Sequence, residues 1–176
     1  MMTAFLERPD ASEFAPFYAA YVHLVPPGDV RDHLRIQIHE TIALLSGVSD
    51  EKAAEAYAPG KWTLKEVIGH MCDAERVFGY RLLSIARGDP ALLPSFDENL
   101  WVPASHASAR TMAALLLEFA AVRSSTVQLV GSLTEEAFIR RGTASGKVIS
   151  ARALAFVCAG HERHHLTIIR ERYLKI

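Results

Sequence analysis

Four long stretches with helical apolar spacing, Gly- and Pro-rich breaks between them, and no strand-like alternation predict an all-α protein. The architecture expected is a four-helix bundle with a short extra helix at the N-terminus. The breaks fall at 26–28 (PPG), 59–60 (PG), 88–94 (GDPALLP) and 142–146 (GTASG). A length of 176 residues, half of them hydrophobic, is enough for one domain with a proper core, expected over 1–176 with the bundle at about 29–174.

The short helix is expected before Pro26, with Phe14, Phe17, Tyr18 and Tyr21 on one side. The first long helix runs from about Asp29 to Ser46 and carries the stripe Leu34, Ile38, Ile42 and Leu45. The second starts at Thr63, which forms a capping-box pattern with Glu66. Its stripe is Leu64, Val67, Ile68, Met71, Phe78, Leu82 and Ile85, and Gly88 is its stop. Residues 89–108 make a long connection, and a link of that length usually has a purpose or structure of its own. The third helix covers about Ala109 to Val130, with Met112, Leu115, Leu116, Phe119, Val127 and Val130 inward. After a short turn at Thr134–Phe138, the last helix starts at the N-cap Ser150 and reaches about Leu174. Short connections favour antiparallel neighbours, whereas the 89–108 link is long enough to cross the bundle and join parallel ones.

Charge and cysteine usage narrow the function. A formal net charge of −1 provides no basic field for phosphate backbones, so nucleic acid is not expected as a partner. No signal-peptide pattern and no run of 18 apolar residues is seen, so the expectation is a cytoplasmic protein with no membrane contact. Cys72 and Cys158 sit within helical apolar patterns and read as buried free thiols.

The chemistry is concentrated in H-E-R-H-H at 161–165. On a helix, residues four apart differ by about 40° in direction, so His161 and His165 project from one face. They continue the stripe Leu154, Val157, Cys158 and thus replace hydrophobes at core positions. Several buried imidazoles need many partners, or one cation that satisfies them together. His70, on the flank of the second helix, is the best third ligand. Such a set suits a divalent ion, zinc or nickel foremost, with iron and copper also compatible. His164 is a weaker competitor, because its direction diverges further from His161. Asp73 shares the face of His70 and is a candidate base or a carboxylate that orients an imidazole. The segment also fits H-E-x-x-H, with Glu162 as base, but that chemistry takes a third ligand well downstream and only eleven residues follow His165. Glu162 is expected to face solvent or a neighbouring helix. Glu75 and Arg76 read as surface or inter-helix charges, and His23, His33, His39 and His106 as surface or packing residues.

Three segments together resemble the DinB/YfiT-like superfamily of metal-dependent hydrolases: GKWTLKEVIGHMCDAERVFGYRLLSIARGD at 60–89, PSFDEN at 94–99 and AGHERHHLTIIRERYL at 159–174. The resemblance implies an up-down-down-up bundle. It also implies one divalent metal on His70, His161 and His165, with positions open to water or substrate, and a homodimer. Hydrolysis of a small-molecule substrate is the activity implied first. Transfer involving a low-molecular-weight thiol is the second, and a non-catalytic metal-binding module the third. Phe96, Asp97 and Asn99 match a recurring loop in such proteins, and Asp97 is a further candidate for proton transfer.

Overall fold

The computed structural model describes residues 7–176. Helices α2 (Val30–Leu45), α4 (Leu64–Ala86), α6 (Met112–Gly131) and α8 (Ala151–Ile168) form the bundle. Each begins where a side-chain oxygen satisfies a free backbone N–H: Asp29, Thr63, Thr111 and Ser150 are the N-caps. The Thr63–Glu66 capping box forms in both directions. Gly88, at φ 77°, follows the end of α4, as expected for a left-handed stop.

Most packed pairs in the bundle are not consecutive along the chain; α4 and α6 are the exception. α4 packs on α8 and α6, and α2 packs on α6 and α8. The segment before Pro26 is two 3-10 turns, Ala11–Glu13 and Pro16–Tyr18, that lead into α1 (Ala19–Val22). α1 lies against α8 at Gly160, where an added Cβ would fall 2.0 Å from the Tyr21 carbonyl oxygen. α3 (Asp50–Ala53) and α7 (Glu135–Ile139) are short connectors. The last helix continues past Ile168 as a π-helical segment, Ile169–Leu174.

One expectation needs correction. Strands are present: β1 (Leu92–Leu93) pairs in parallel with β2 (Arg141–Ala144), and β2 pairs antiparallel with β3 (Lys147–Ser150). The hairpin turns at Ser145–Gly146, both with positive φ, the geometry of a tight two-residue turn. Strands of two to four residues are too short for alternation to register in the sequence. The 89–108 link is also structured, for it holds β1, α5 (Glu98–Ala104) and a 3-10 turn at Ala107–Ala109. A further difference concerns α6, which is by length and composition apolar enough to cross a membrane, with a mean hydropathy of 1.3. It serves here as a bundle helix that carries the fully buried Arg123.

The core has two apolar parts. One gathers α1, the hairpin, the C-terminal half of α4 and the N-terminal half of α8 around Phe78, Phe138 and Phe156. The other gathers the remaining halves around Met71, Leu115 and Phe119. Buried polar side chains cluster between them: Gln37, Thr41, His70, Glu75, Arg123, His161, Glu162 and His165. Arg123 ties this layer together. It donates from Nε and Nη2 to the two oxygens of Glu75 at 2.7 Å, and from Nη1 to Glu162 at 2.6 Å and to the Leu34 carbonyl at 3.3 Å. One guanidinium thus joins all four bundle helices.

Candidate metal centre

His70 comes from the second turn of α4, and His161 and His165 from successive turns near the end of α8. Each of the first two follows a glycine. A Cβ at Gly69 would lie 2.7 Å from Ala107 Cβ, and one at Gly160 would strike the Tyr21 backbone. The missing side chains let two outer segments close over the histidines.

The three imidazoles are buried and converge. Nε2 of His161 lies 3.2 Å from Nε2 of His70 and 3.1 Å from Nε2 of His165. Nitrogens ~2.1 Å from one ion and ~100° apart would be separated by ~3.2 Å, so the spacing fits a shared cation. Without one, a contact between two ring nitrogens accommodates a single proton at most, and lone pairs are left facing one another. Among the described residues, no other Cys, His, Asp or Glu joins this group.

Electrostatics keep the donors neutral. Burial pushes His70 down to about 4, assisted by His164 and opposed by the Glu98 carboxylate. Burial, then His165 and His70, hold His161 well below the ordinary range. His165 is depressed by burial and by His70 and His164. Neutral imidazole is the form that binds a metal.

Aromatic rings enclose the set. Trp62 tilts over His70 at 5.0 Å, and Tyr21 and Phe78 each stand edge-on to His161 at 5.4 Å. Two openings reach the imidazoles. One, of about 260 Å³, is bordered by Trp62, Asn99 and His165. The other, of about 200 Å³, is bordered by Tyr21, His70, Phe78, Arg81, Glu98 and His161.

Of the residues expected at the site, His70, His161 and His165 come together as a group. His164 does not join it; its ring stands edge-on to Tyr21 and His165. Asp73 lies outside the group as well. Its carboxylate accepts from Arg76 Nη1 at 3.4 Å, and burial raises its pKa. Glu162 turns away from the histidines to Arg123 and to the Thr41 hydroxyl, which donates to it at 2.5 Å. A base in the H-E-x-x-H sense is therefore ruled out, because that carboxylate is already engaged on a neighbouring helix. Glu75, read as a surface or inter-helix charge, is the buried partner of Arg123. Asp97 acts as the N-cap of α5, accepting from Asn99 N at 2.9 Å. The next residue, Glu98, borders the smaller opening together with His70 and His161, and its charge acts on His70; sequence reasoning missed it. The Asp97 capping pattern was the available signal, since it places Glu98 in the first turn of a helix.

Known proteins resemble this chain in sequence and in fold. A protein of Oceanobacillus iheyensis, named as an inferred metal-dependent hydrolase, is 25% identical over 132 residues, covering 72% of this chain and 73% of its own. A similarly named protein of Geobacillus thermodenitrificans is 31% identical over 130 residues, with 70% of each chain covered. Among solved structures, YfiT from Bacillus subtilis superposes with a TM-score of 0.69 over 96% of this chain and 95% of its own, at 15% identity. YfiT is described as a probable metal-dependent hydrolase with an unusual four-helix bundle topology. The model of the DinB superfamily matches residues 33–169, a span that takes in the four bundle helices except the first turn of α2, and all three clustered histidines, and on that ground the chain belongs to the DinB superfamily.

Proposed function

We propose that the chain is a metal-dependent hydrolase of small molecules, with one divalent ion held by His70, His161 and His165. The observation that carries this reading is three neutral, buried imidazoles whose Nε2 atoms converge beside two openings. A structural site would be closed by a fourth protein ligand, and none is in place among the described residues. When bound, a divalent cation supplies Lewis-acid polarisation and lowers the pKa of water toward neutrality. The imidazoles add no negative charge, so the cation keeps its full polarising power. Glu98, at the mouth of the smaller opening, takes the proton from the attacking water. Tyr21 and Phe78 limit the bulk water that reaches the reacting group. Imidazole donors suit zinc and nickel alike.

Elemental analysis of the untagged protein tests the site. About one metal per chain is expected, with loss of metal and activity in His161→Ala while helicity persists. No metal in the purified protein, nor after zinc and nickel are offered to it, sinks the reading. Turnover that appears only with an added low-molecular-weight thiol moves it to thiol transfer.

We also infer an up-down-down-up run for α2, α4, α6 and α8. Contacts advance together along α4 and α6, from Cys72–Leu115 to Glu75–Arg123, and along α2 and α8, from Gln37–Ala159 to Thr41–Glu162. They run in opposite senses for α4 and α8, where His70 near one start meets His165 near the other end. A homodimer through the outer face of α6 completes the proposal. Leu117 is 73% exposed there, with apolar clefts on either side bordered by Ile42 and Leu116 and by Leu83 and Leu129. The two unbridged cysteines suit a reducing, cytoplasmic setting.

A further inference from the structure

Arg81 is 2% exposed, yet no carboxylate among the described residues lies within ion-pair distance of it. Its contacts are all neutral: Nη2 donates to the Pro94 carbonyl at 2.6 Å and to Ser145 Oγ at 3.0 Å, and Nη1 donates to the Tyr18 hydroxyl at 3.3 Å. The other buried guanidinium, that of Arg123, is held by two carboxylates. A buried charge without a counter-charge is costly, and protein interiors ordinarily pair it. A guanidinium carries five N–H donors, so Nε and one Nη1 hydrogen are left without a protein acceptor.

Its position gives that free charge a use. Arg81 borders the same opening as His70 and His161, and also a neighbouring apolar cleft of about 330 Å³; the two meet at Arg81 and Phe96. Eleven residues separate His70 from Arg81 on α4, about three turns with only ~20° of net rotation, so both lie on one face of the helix. Helical side chains lean toward the N-terminus, which carries the guanidinium back toward the histidines. Phe78 and Phe96 stand between, with the Phe78 ring 5.4 Å from His161 and the Phe96 ring 5.8 Å from the Arg81 guanidinium. Ser145, whose hydroxyl accepts from Arg81, sits at the hairpin tip with φ 53°, the left-handed conformation that the two-residue turn requires.

We propose that Arg81 binds the carboxylate of the substrate, so that the enzyme acts on small organic acids whose charged end is separated from the reacting group by an apolar body. The apolar part lies against Phe78 and Phe96, and the reacting group reaches the three histidines. One cation with two free donors matches a singly charged carboxylate better than a phosphate dianion. The proposal rests on the hydrolase reading for the identity of the site, but the carboxylate contact itself needs no metal.

The test is calorimetric titration of the full-length, zinc-loaded protein with ω-phenyl carboxylates of two to five methylenes, against their neutral amides and the matching phenylalkyl phosphates. The expected result is at least a tenfold preference for one carboxylate over its amide and its phosphate. That preference should persist after zinc is removed by chelation, disappear in Arg81→Met, and survive in reduced form in Arg81→Lys, which keeps the charge. Circular dichroism verifies that both variants fold; if Arg81→Met does not, the amide comparison and Arg81→Lys still decide. Equal binding of acid and amide, a preference for phosphate, a preference unchanged in Arg81→Met, or one that vanishes with the zinc overturns the proposal. Metal content separates the two readings. A carboxylate preference in a protein that takes up no metal removes the hydrolase reading alone, and a metal-loaded protein without the preference removes this one alone.

Discussion

At the scale of single residues, the site depends as much on absent side chains as on ligands. Gly160 precedes His161 and lets the α1 backbone approach α8, which sets the Tyr21 ring edge-on to His161. Alanine there places its Cβ 2.0 Å from a carbonyl oxygen, and backbone gives way less readily than a flexible side chain. Overpacking of this kind costs about 1–3 kcal/mol. Gly160→Ala is therefore expected to lower the melting temperature by several degrees and to shift the Tyr21 resonances in an NMR spectrum. A variant with the parent melting temperature would show that α1 is not held there. His70, His161 and His165 were legible because helical spacing and apolar context are local properties. The glycines' role was not, because it lies in what the opposite segment brings to them.

At the scale of the elements, the polar layer between the two halves of the core links the helices. Burial works against the charge of Arg123, but Glu75 and Glu162 outweigh it and hold the guanidinium protonated above its ordinary range. The consequence is asymmetric. Breaking one side leaves the others buried and unpaired, at a cost of about 3–5 kcal/mol. Arg123→Met is expected to lose that much in chemical denaturation, and replacing Glu75 and Glu162 together with Arg123 by apolar residues of similar size is expected to recover most of it. If the single and triple variants unfold at the same denaturant concentration, the network is not what the single change disturbs. The helices themselves were readable from caps and stripes. Arg123 lies one turn beyond Phe119 on the inward face of α6, a position that helical spacing buries although an isolated guanidinium would favour water. The partners that reconcile the two come from α4 and α8, far away in sequence.

At the scale of the whole molecule, α6 has one side in the bundle and an apolar side open to solvent. Leu117 projects from the open side. If that face joins two copies, light scattering should give about twice the chain mass, and Leu117→Glu should give a monomer that retains its metal. A monomeric parent protein at high concentration would remove the dimer. Metal retention in the variant would separate loss of the interface from loss of the fold.

The sequence alone was sufficient for the helical class, the approximate spans of the bundle helices, the three-histidine group and the family, since each depends on spacing along one segment or on motifs that survive without neighbours. Tertiary structure decided which carboxylate shares an opening with the histidines, why Glu162 cannot serve as a base, where the short strands close the hairpin over Arg81, and which buried cation is neutralised and which is not. Those outcomes depend on distances between side chains far apart in the chain, and helical periodicity assigns a residue to a face without naming what that face will meet.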